Sequence, residues 1–371
     1  MNTKTLSLLS ILLLSVTFLS PDVKNPDKPL KGDWDLQLKE VMRIDNPGAD
    51  VLVKPRHLVV SDDGTIYLYD EQLLKFYLFS KEGKFVKTFA PKGEGPGELK
   101  RFYNAFLVND KLIVVDAYEI EYFTKDATFI RKVTNDFSVR LPNYFINEDE
   151  FIYFPLLKTN DPDMAGKIFR FNIKTGKEKV LADFEIYGGG VVKSEEVVVG
   201  VIVPGLTPMM VVRYTPDRIY YGRNDIYKII SADHNGQKLN AFSVDRKKRK
   251  VTEADIKEFF KGKPIPPDML PKIISSVPDD LTYFSIIQLH HSLLYVFNAN
   301  LKRNIKSQRV DIFSPEGQYL YRTIIRPPKG FNITSGWVPL IIIKGNHLYM
   351  ALVGDDGKAT VGKYQITLPR S

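Results

Sequence analysis

The feature that most constrains the fold is a pattern repeated six times along the chain: a polar turn followed at once by a short apolar or alternating strand. Residues 63–65 precede the strand 66–69 in this way, and residues 345–347 precede 348–350. The first two separations, 46 and 39 residues, match the roughly 40–50 residues of a four-stranded propeller blade, and the later separations of 68, 74 and 55 residues indicate insertions. The six strands start at Ile66, Leu112, Phe151, Ile219, Leu293 and Leu348.

A second pattern, a strand, a tight polar turn and another strand, follows the first five copies. Residues 76–79 lead through the turn 80–83 into 85–89, which is a β-hairpin signal. The sixth copy ends near Ser371 without its outer strand, whereas an unassigned strand lies at 36–44. The sequence therefore predicts an all-β, six-bladed β-propeller of four-stranded antiparallel blades, in which the N-terminal strand closes the last blade.

The first residues predict export. Lys4 is followed by a mostly apolar stretch at 6–19, which suits the core of a signal peptide and is too short to span a bilayer comfortably. We therefore predict a signal peptide at 1–20, a propeller at 35–369, and a periplasmic or extracellular location. Pro21 would hinder cleavage at the end of the predicted signal peptide, so an uncleaved interfacial anchor is the alternative.

Composition limits both the chemistry and the partners. The chain has no cysteine, which excludes disulfides, thiol chemistry and a lipid-modified cysteine. A chain of 371 residues that is 44% hydrophobic can instead rely on a large core. The formal net charge of +8 predicts weak attraction to anionic surfaces, including a membrane surface. We expect no nucleic-acid partner outside the cytoplasm, and we expect a monomer.

Two stretches interrupt the repeat, at 185–207 and 245–281. In the second, Thr252 and Asp255 have the spacing of a capping box, and the apolar residues that follow share one helical face. This pattern predicts a short helical insertion between blades four and five, either a lid or partner-binding element or a purely stabilising insertion. The basic run at 246–250 is either a solvated loop or a docking site for an anionic lipid headgroup or acidic polymer.

One stretch carries a family resemblance. Residues 83–89 (GKFVKTF) followed by residues 92–98 (KGEGPGE) resemble the blade junction of NHL-type six-bladed propellers. They are especially similar to a broad group of exported bacterial six-bladed proteins without assigned function. The other blades match the family as a pattern only. The resemblance implies the same fold over most of the chain and implies little about activity, because propellers host binding modules and enzymes alike.

The strands of a propeller blade alternate in direction from the centre outward, so loops between second and third strands share a face with loops between blades. We expect the ligand site on this face, at the mouth of the central channel. Asp70 and Asp116 each end a second strand. The NHL resemblance implies that they order the loop, and the alternative is that they bind a cation or a sugar. The residues predicted to contact a ligand are Arg56, His57, Asp70, Arg101, Asp116, Arg140, Arg223 and Asn298.

This cation-rich set predicts a small acidic ligand or a protein as partner, with no catalytic residue, no metal and no cofactor. The five histidines are scattered, and no zinc-protease, nucleophile-elbow or phosphate-loop motif is present. The favoured function is a non-catalytic binding or scaffold module. The alternative is a cation-dependent, lactonase-like hydrolase or lyase, for which calcium is the expected ion, although Asp70, Asp116 and Asn298 are too few to form its ligand set. A third reading is a surface protein that contacts other proteins through its outer blades.

Overall fold

The computed structural model describes residues 22–46, 48, 50–116, 119–134, 140–154, 166–183, 191–193, 198–200, 203, 205–261, 265, 268–301, 304–334 and 338–369. The predicted signal peptide at 1–20 and much of the insertion at 185–207 lie outside these residues. No helix of the described chain is long and apolar enough to cross a membrane.

The regular secondary structure of the described chain is almost entirely β-strand, with two short helices. Two strands precede the first blade, β1 (Val23–Pro26) and β2 (Lys39–Ile44). Blades one and two contain β3 (Pro55–Val60), β4 (Ile66–Asp70), β5 (Lys75–Phe79) and β6 (Phe85–Phe89), then β7 (Phe102–Val108), β8 (Lys111–Asp116), β9 (Glu119–Thr124) and β10 (Phe129–Thr134). Blade three contains β11 (Tyr144–Asn147), β12 (Glu150–Tyr153), β13 (Lys167–Asn172) and β14 (Glu178–Asp183), and a separate hairpin follows, β15 (Val191–Lys193) and β16 (Val198–Gly200).

The second half of the chain repeats the arrangement. Blade four contains β17 (Met210–Tyr214), β18 (Ile219–Arg223), β19 (Lys228–Ala232) and β20 (Lys238–Asp245), and two helices follow, α1 (Glu253–Phe260) and α2 (Met269–Ser276). Blade five contains β21 (Phe284–His290), β22 (Leu293–Asn298), β24 (Gln308–Phe313) and β25 (Tyr319–Ile325). The short β23 (Asn304–Ile305) lies between β22 and β24 in the chain but pairs with residues 333–334, outside this blade. The last strands are β26 (Phe331–Thr334), β27 (Ile341–Lys344), β28 (His347–Gly354) and β29 (Ala359–Gln365).

The strands form six antiparallel blades arranged in a ring, which confirms the predicted six-bladed propeller. The first strands of neighbouring blades contact one another around the centre, and the last of them, β27, contacts the first, β3. The second strands are buried on both faces: Ile66 and Leu68 pack toward blade six, and Tyr67 and Tyr69 pack toward blade two. Alternate side chains of a strand point to opposite faces of a sheet, so each blade contributes apolar residues to two inter-blade cores.

The outer strand of blade six comes from the N-terminal region. The strand β2 pairs antiparallel with β29, with Lys39 opposite Gln365 and Ile44 opposite Val361. Of the strand expected at 36–44, the last six residues make this pairing. The first and last parts of the chain thus share one sheet, which leaves blade six without a missing strand.

Upstream of β2, residues 22–34 cross the outer edges of blades four and five, and we call this segment the N-terminal strap. Its strand β1 pairs in parallel with β20, and the backbone from Leu30 onward hydrogen-bonds to β25. The side chain of Asn25 donates to two carbonyl oxygens, of Ser243 and Gly317, at 3.0 and 2.9 Å. The strap, which lies upstream of the predicted boundary at residue 35, is therefore hydrogen-bonded to the outer strands of blades four and five.

The insertion between blades four and five contains α1 and α2. The capping box at the start of α1 is present: the Thr252 side chain accepts from the Asp255 amide, and the Asp255 side chain accepts from the Thr252 amide. Buried residues of both helices form a second small core with Val203 and Leu206, from the other insertion, and with Ala299 and Leu301 of blade five. The two insertions therefore pack together over one part of the propeller.

Candidate functional site

The predicted ligand face carries the loops between second and third strands and the loops between blades, and we call it the mouth face. All eight residues predicted to contact a ligand lie in or beside these loops. The structure separates them into three groups: two loop-ordering carboxylates, a cluster between blades one and two, and three side chains in blades three, four and five that are each paired within their own blade.

Asp70 and Asp116 order the loops that enter blades one and two. Asp70 is fully buried, and its carboxylate accepts hydrogen bonds from the amides of residues 53, 54, 72 and 73 at 2.8 to 3.1 Å. Asp116, also fully buried, accepts from the amides of Lys100 (2.7 Å) and Arg101. In blade four Asn224 has the same task, accepting from the Met209 amide. Oxygen atoms that are already occupied by amides are poor candidates for binding a cation or a sugar.

His57 joins the first strands of blades one and two. Its Nε2 lies 2.9 Å from the carbonyl oxygen of Ala105, to which it donates in the matching tautomer, and its ring packs edge-on against Phe102 at 5.4 Å. Burial lowers the pKa of His57 to about 4, so the imidazole is neutral near pH 7. His57 is therefore fixed as a tie between the blades.

Arg56 and Arg101 are the sequence neighbours of His57 and Phe102, which are in contact, and the like charges of the two arginines interact. Arg56 forms an ion pair with Glu71, and burial, together with the like charge of Arg101, lowers its pKa. The Arg101 guanidinium lies over the ring of Tyr103, 5.2 Å from its centroid. Arg101 is exposed and forms no ion pair with any residue in the described part of the chain. Two guanidinium groups thus share the mouth between blades one and two, and one of them has no carboxylate partner there.

Arg140 and Arg223 lie in other blades, and each is neutralised by a neighbouring carboxylate. Arg140 Nε is 3.1 Å from an oxygen of Glu178. Arg223 binds Asp225 through Nε and Nη2, at 2.9 and 2.7 Å. Of the four arginines predicted to contact a ligand, Arg101 is thus the one without a carboxylate partner among the described residues.

Asn298, the last of the predicted ligand residues, belongs to a buried centre that the sequence does not reveal. Its amide donates to Asp311 at 2.8 Å. Asp311 is fully buried and also accepts from Arg246 and from the hydroxyls of Tyr227 and Tyr319. Burial opposes ionisation, but the hydrogen bonds and charge of Arg246 outweigh it and lower the pKa of Asp311 to about 2. We call this group the Asp311 centre.

The strap completes the Asp311 centre. Asp27 receives three guanidinium groups on one carboxylate oxygen: Arg246 at 2.6 Å, Arg309 at 3.2 Å and Arg322 at 3.1 Å. Arg246 thus bridges Asp27 and Asp311, so the charges of the blade four–five junction are largely compensated inside the protein.

The basic run at 246–250 is consequently not one continuous cationic surface. Arg246 is buried in the Asp311 centre, with 9% of its side chain exposed. Lys248 lies over the ring of Tyr283, and Lys250 pairs with two neighbouring aspartates, Asp279 and Asp280. The remaining cations, Lys247 and Arg249, are exposed.

A further buried carboxylate lies in the third strand of blade two. Glu121 is fully buried, and neither of its carboxylate oxygens has a hydrogen-bond partner within the described residues. Lys132 approaches to 3.4 Å. Burial raises the pKa of Glu121 to about 7, against the opposing effect of Lys132. Over the described residues, no three histidine, aspartate or glutamate side chains come together as a set that could hold a metal ion.

Comparison with known proteins agrees with this fold. Residues 48–200 match a family described as a 6-bladed beta-propeller, DUF5128. The crystal structure of a DUF4221 family member from Bacteroides vulgatus is similar, with 12% identity, a TM-score of 0.57, and 90% of this chain and 99% of that chain covered. The crystal structure of a Bacteroides fragilis protein with the provisional name of exported protein is also similar, with 10% identity and a TM-score of 0.55. The alignment covers 94% of this chain and 99% of that chain.

No curated protein matches the chain. The fold and these similarities define a six-bladed β-propeller, and the resemblance seen in the sequence is confirmed at the level of the fold. At 10–12% identity, the two structures are informative about the fold alone.

Proposed function

We propose that this chain is an exported binding module that takes an acidic ligand at the mouth between blades one and two. The observation that carries the proposal is Arg101, an exposed guanidinium held over the Tyr103 ring, with no ion-pair partner among the described residues and with Arg56 beside it. A planar guanidinium stacked on an aromatic ring leaves its N–H edges available for bidentate contact with a carboxylate. Two neighbouring guanidiniums favour a ligand with two carboxylates.

Binding is favoured over the cation-dependent alternative by the state of the buried carboxylates. Asp70 and Asp116 are occupied by backbone amides, and Asn298 is occupied by Asp311. A calcium site needs six to eight oxygen ligands, and these three side chains would have to leave their loops to supply any. Export is supported by the predicted signal peptide at 1–20.

Replacing Arg101 with glutamine is expected to weaken dicarboxylate binding by at least about tenfold, because one bidentate, charge-assisted contact is lost. Calorimetric titration with succinate and citrate, at low and at physiological salt, measures the affinity, which should fall as salt rises. The matched control is Arg131→Gln. Arg131 lies on the outer strand β10, and its guanidinium is also over a tyrosine ring, 4.0 Å from the centroid of Tyr122. Unlike Arg101, it is paired with a carboxylate, that of Asp149.

Equal affinity in the Arg101 variant and in the wild-type protein would contradict the proposal, as would equally tight binding of 1,4-butanediol, which lacks both charges. Failure of succinate and citrate to bind the wild-type protein would also contradict it. A loss of binding in the Arg131 variant would point to a non-specific charge effect.

A further inference from the structure

The opposite face of the propeller carries the turns between first and second strands, and we call it the rear face. Three neighbouring first strands, β7, β11 and β17, bring partly exposed aromatic side chains together on the rear side of the channel. Tyr144 lies 6.0 Å from Phe106 and 5.5 Å from Tyr214, measured between ring centroids. The Tyr214 ring is also stacked on His234 at 4.7 Å. These rings form a continuous aromatic wall across blades two, three and four.

One cation reaches this wall. Arg213, one residue before the end of β17, places its guanidinium over the Tyr144 ring, 5.2 Å from the centroid. Its Nε is buried and has no hydrogen-bond partner among the described residues. Arg213 also forms no ion pair with any of these residues, and every turn between strands on the rear face lies in the described part of the chain. A buried donor without an acceptor is uncommon in a native protein and calls for a partner from outside the chain.

The other arginines that lie on aromatic rings show what is unusual about Arg213. Among the described residues, five of the other six also pair with a carboxylate, and the sixth is Arg101 at the mouth. Those pairs are Arg43–Glu40, Arg131–Asp149, Arg140–Glu178, Arg246–Asp311 and Arg322–Asp27. In this protein a stacked arginine is therefore normally completed by a carboxylate, and at Arg213 the chain supplies the ring but no acid.

The other polar side chains beside the aromatic wall, Arg170 and His234, already have partners within the protein. Arg170 acts on Tyr214 electrostatically, but it is paired with Glu150 at 2.6 Å. His234 Nε2 lies 3.0 Å from the carbonyl oxygen of Thr215. The wall thus offers one uncompensated guanidinium surrounded by aromatic faces.

We propose that the rear opening of the channel binds a ring-bearing monocarboxylate, with the carboxylate on Arg213 and the ring against Tyr144 and Phe106. The guanidinium lies over one ring and offers its edge to a planar carboxylate, which gives both charge and directional hydrogen bonds. Aromatic side chains gain further contact energy from a flat ring, whether aromatic or pyranose. This site differs from the mouth in position and in the ligand that it favours.

The test uses two acids and their uncharged counterparts on the purified full-length protein: benzoate with benzyl alcohol, and D-glucuronate with D-glucose. We expect at least one acid to bind with its uncharged counterpart bound at least tenfold more weakly. Arg213→Gln should weaken binding of that acid at least tenfold. Tyr144→Leu should weaken it about threefold to tenfold, because the ring contact is lost while the charge remains. Arg101→Gln at the mouth should leave it unchanged, which separates this site from the proposed function.

Two further variants keep the result interpretable. Arg213→Lys retains the charge but not the bidentate edge, so it should bind the acid more weakly than the wild-type protein and more tightly than Arg213→Gln. Arg131→Gln is the matched control for loss of a stacked arginine. The proposal is overturned if neither acid binds at millimolar concentration, if the uncharged counterpart binds as well, or if both Arg213 variants bind like the wild-type protein.

Discussion

Arg246→Met is expected to lower the free energy of unfolding by about 3–5 kcal/mol, the cost typical of removing one partner of a buried ion pair. Arg246 is the link between the two carboxylates of the Asp311 centre, at 2.7 Å from Asp311 and 2.6 Å from Asp27. Methionine can fill part of the volume but cannot compensate a carboxylate that is fully buried. Urea unfolding, followed by tryptophan fluorescence at constant pH, measures the loss.

The matched control is Lys250→Met, four residues further along the same basic run. Lys250 is 67% exposed and pairs with aspartates at the surface, so its replacement should change the free energy of unfolding by less than about 1 kcal/mol. A loss below about 1 kcal/mol in the Arg246 variant would show that Arg309 and Arg322 can replace it, and would contradict the assignment of Arg246 as the main partner.

The pH dependence of stability gives a second test of the same pair. The pKa of Asp311 is lowered to about 2 in the folded protein, below the value of about 4 for an unfolded aspartate. The unfolded chain therefore binds the proton first as the pH falls, so the stabilisation is complete above about pH 4 and is lost between pH 4 and 2. In Arg246→Met the pKa of Asp311 should rise, which moves this loss to higher pH.

The repeat was a sufficient basis for predicting the blades, because each second strand is a short apolar run between polar turns. The structure begins β4 at Ile66, β18 at Ile219 and β22 at Leu293, as the pattern predicts, and the other three second strands begin one residue earlier, as at Lys111 for β8. A strand that is buried on both faces must be apolar throughout, and this requirement leaves a strong local signal. The fold was therefore accessible from local sequence.

The pairing of the N-terminal strap with blades four and five could not be predicted from local sequence. The sequence of β1, Val-Lys-Asn-Pro, has no alternation, and its pairing with β20 joins residues more than two hundred positions apart. Nothing local distinguishes Asp27 from a solvated aspartate. In the basic run the local signal was misleading. Five consecutive cations favour a surface loop, whereas Arg246 is buried by partners that lie far away in the sequence.

The residues of the candidate sites also differ in whether local sequence predicts them. The sequence predicts Arg56 and Arg101 as ligand residues because they lie in or beside loops of a predictable face. Arg213 and Glu121 were missed because a charged residue within an alternating strand suggests a solvent-facing position. In a propeller that inference fails, since both faces of a sheet pack against other blades. A charged residue within a first or third strand of a blade is thus the signal that could have identified them.

Glu121 is informative because it corresponds in position to Asp311. Each lies in the third strand of its blade opposite a valine of the second strand, Val114 for Glu121 and Val296 for Asp311. Those valines pack toward the preceding blade, blade one and blade four respectively. At the junction of blades four and five the carboxylate receives an arginine and two tyrosine hydroxyls, whereas the one cation near Glu121 among the described residues is Lys132, at 3.4 Å.

The two positions should therefore affect stability in opposite directions as the pH changes. The pKa of Glu121 is raised to about 7 by burial, and the nearby charges of Lys132, Asp116 and Glu119 act on the same group. The folded protein then holds a proton that the unfolded chain has released, so this group costs stability as the pH rises from about 4.5 to 7. A shift of this size corresponds to at most about 3 kcal/mol.

Glu121→Gln is accordingly expected to stabilise the protein by about 1–3 kcal/mol at pH 8 relative to its effect at pH 4.5, because the neutral amide removes the cost of a buried charge. The measurement is the difference in unfolding free energy between variant and wild type at each pH, which cancels the contributions of all other carboxylates. Glu119→Gln, in the same strand, is the control: Glu119 is held by Lys132 at 2.9 Å, so its loss should not stabilise. A Glu121 variant whose difference from the wild type stays constant across this range would show that Lys132 keeps the carboxylate ionised, and that the two junctions compensate their buried charge equally well.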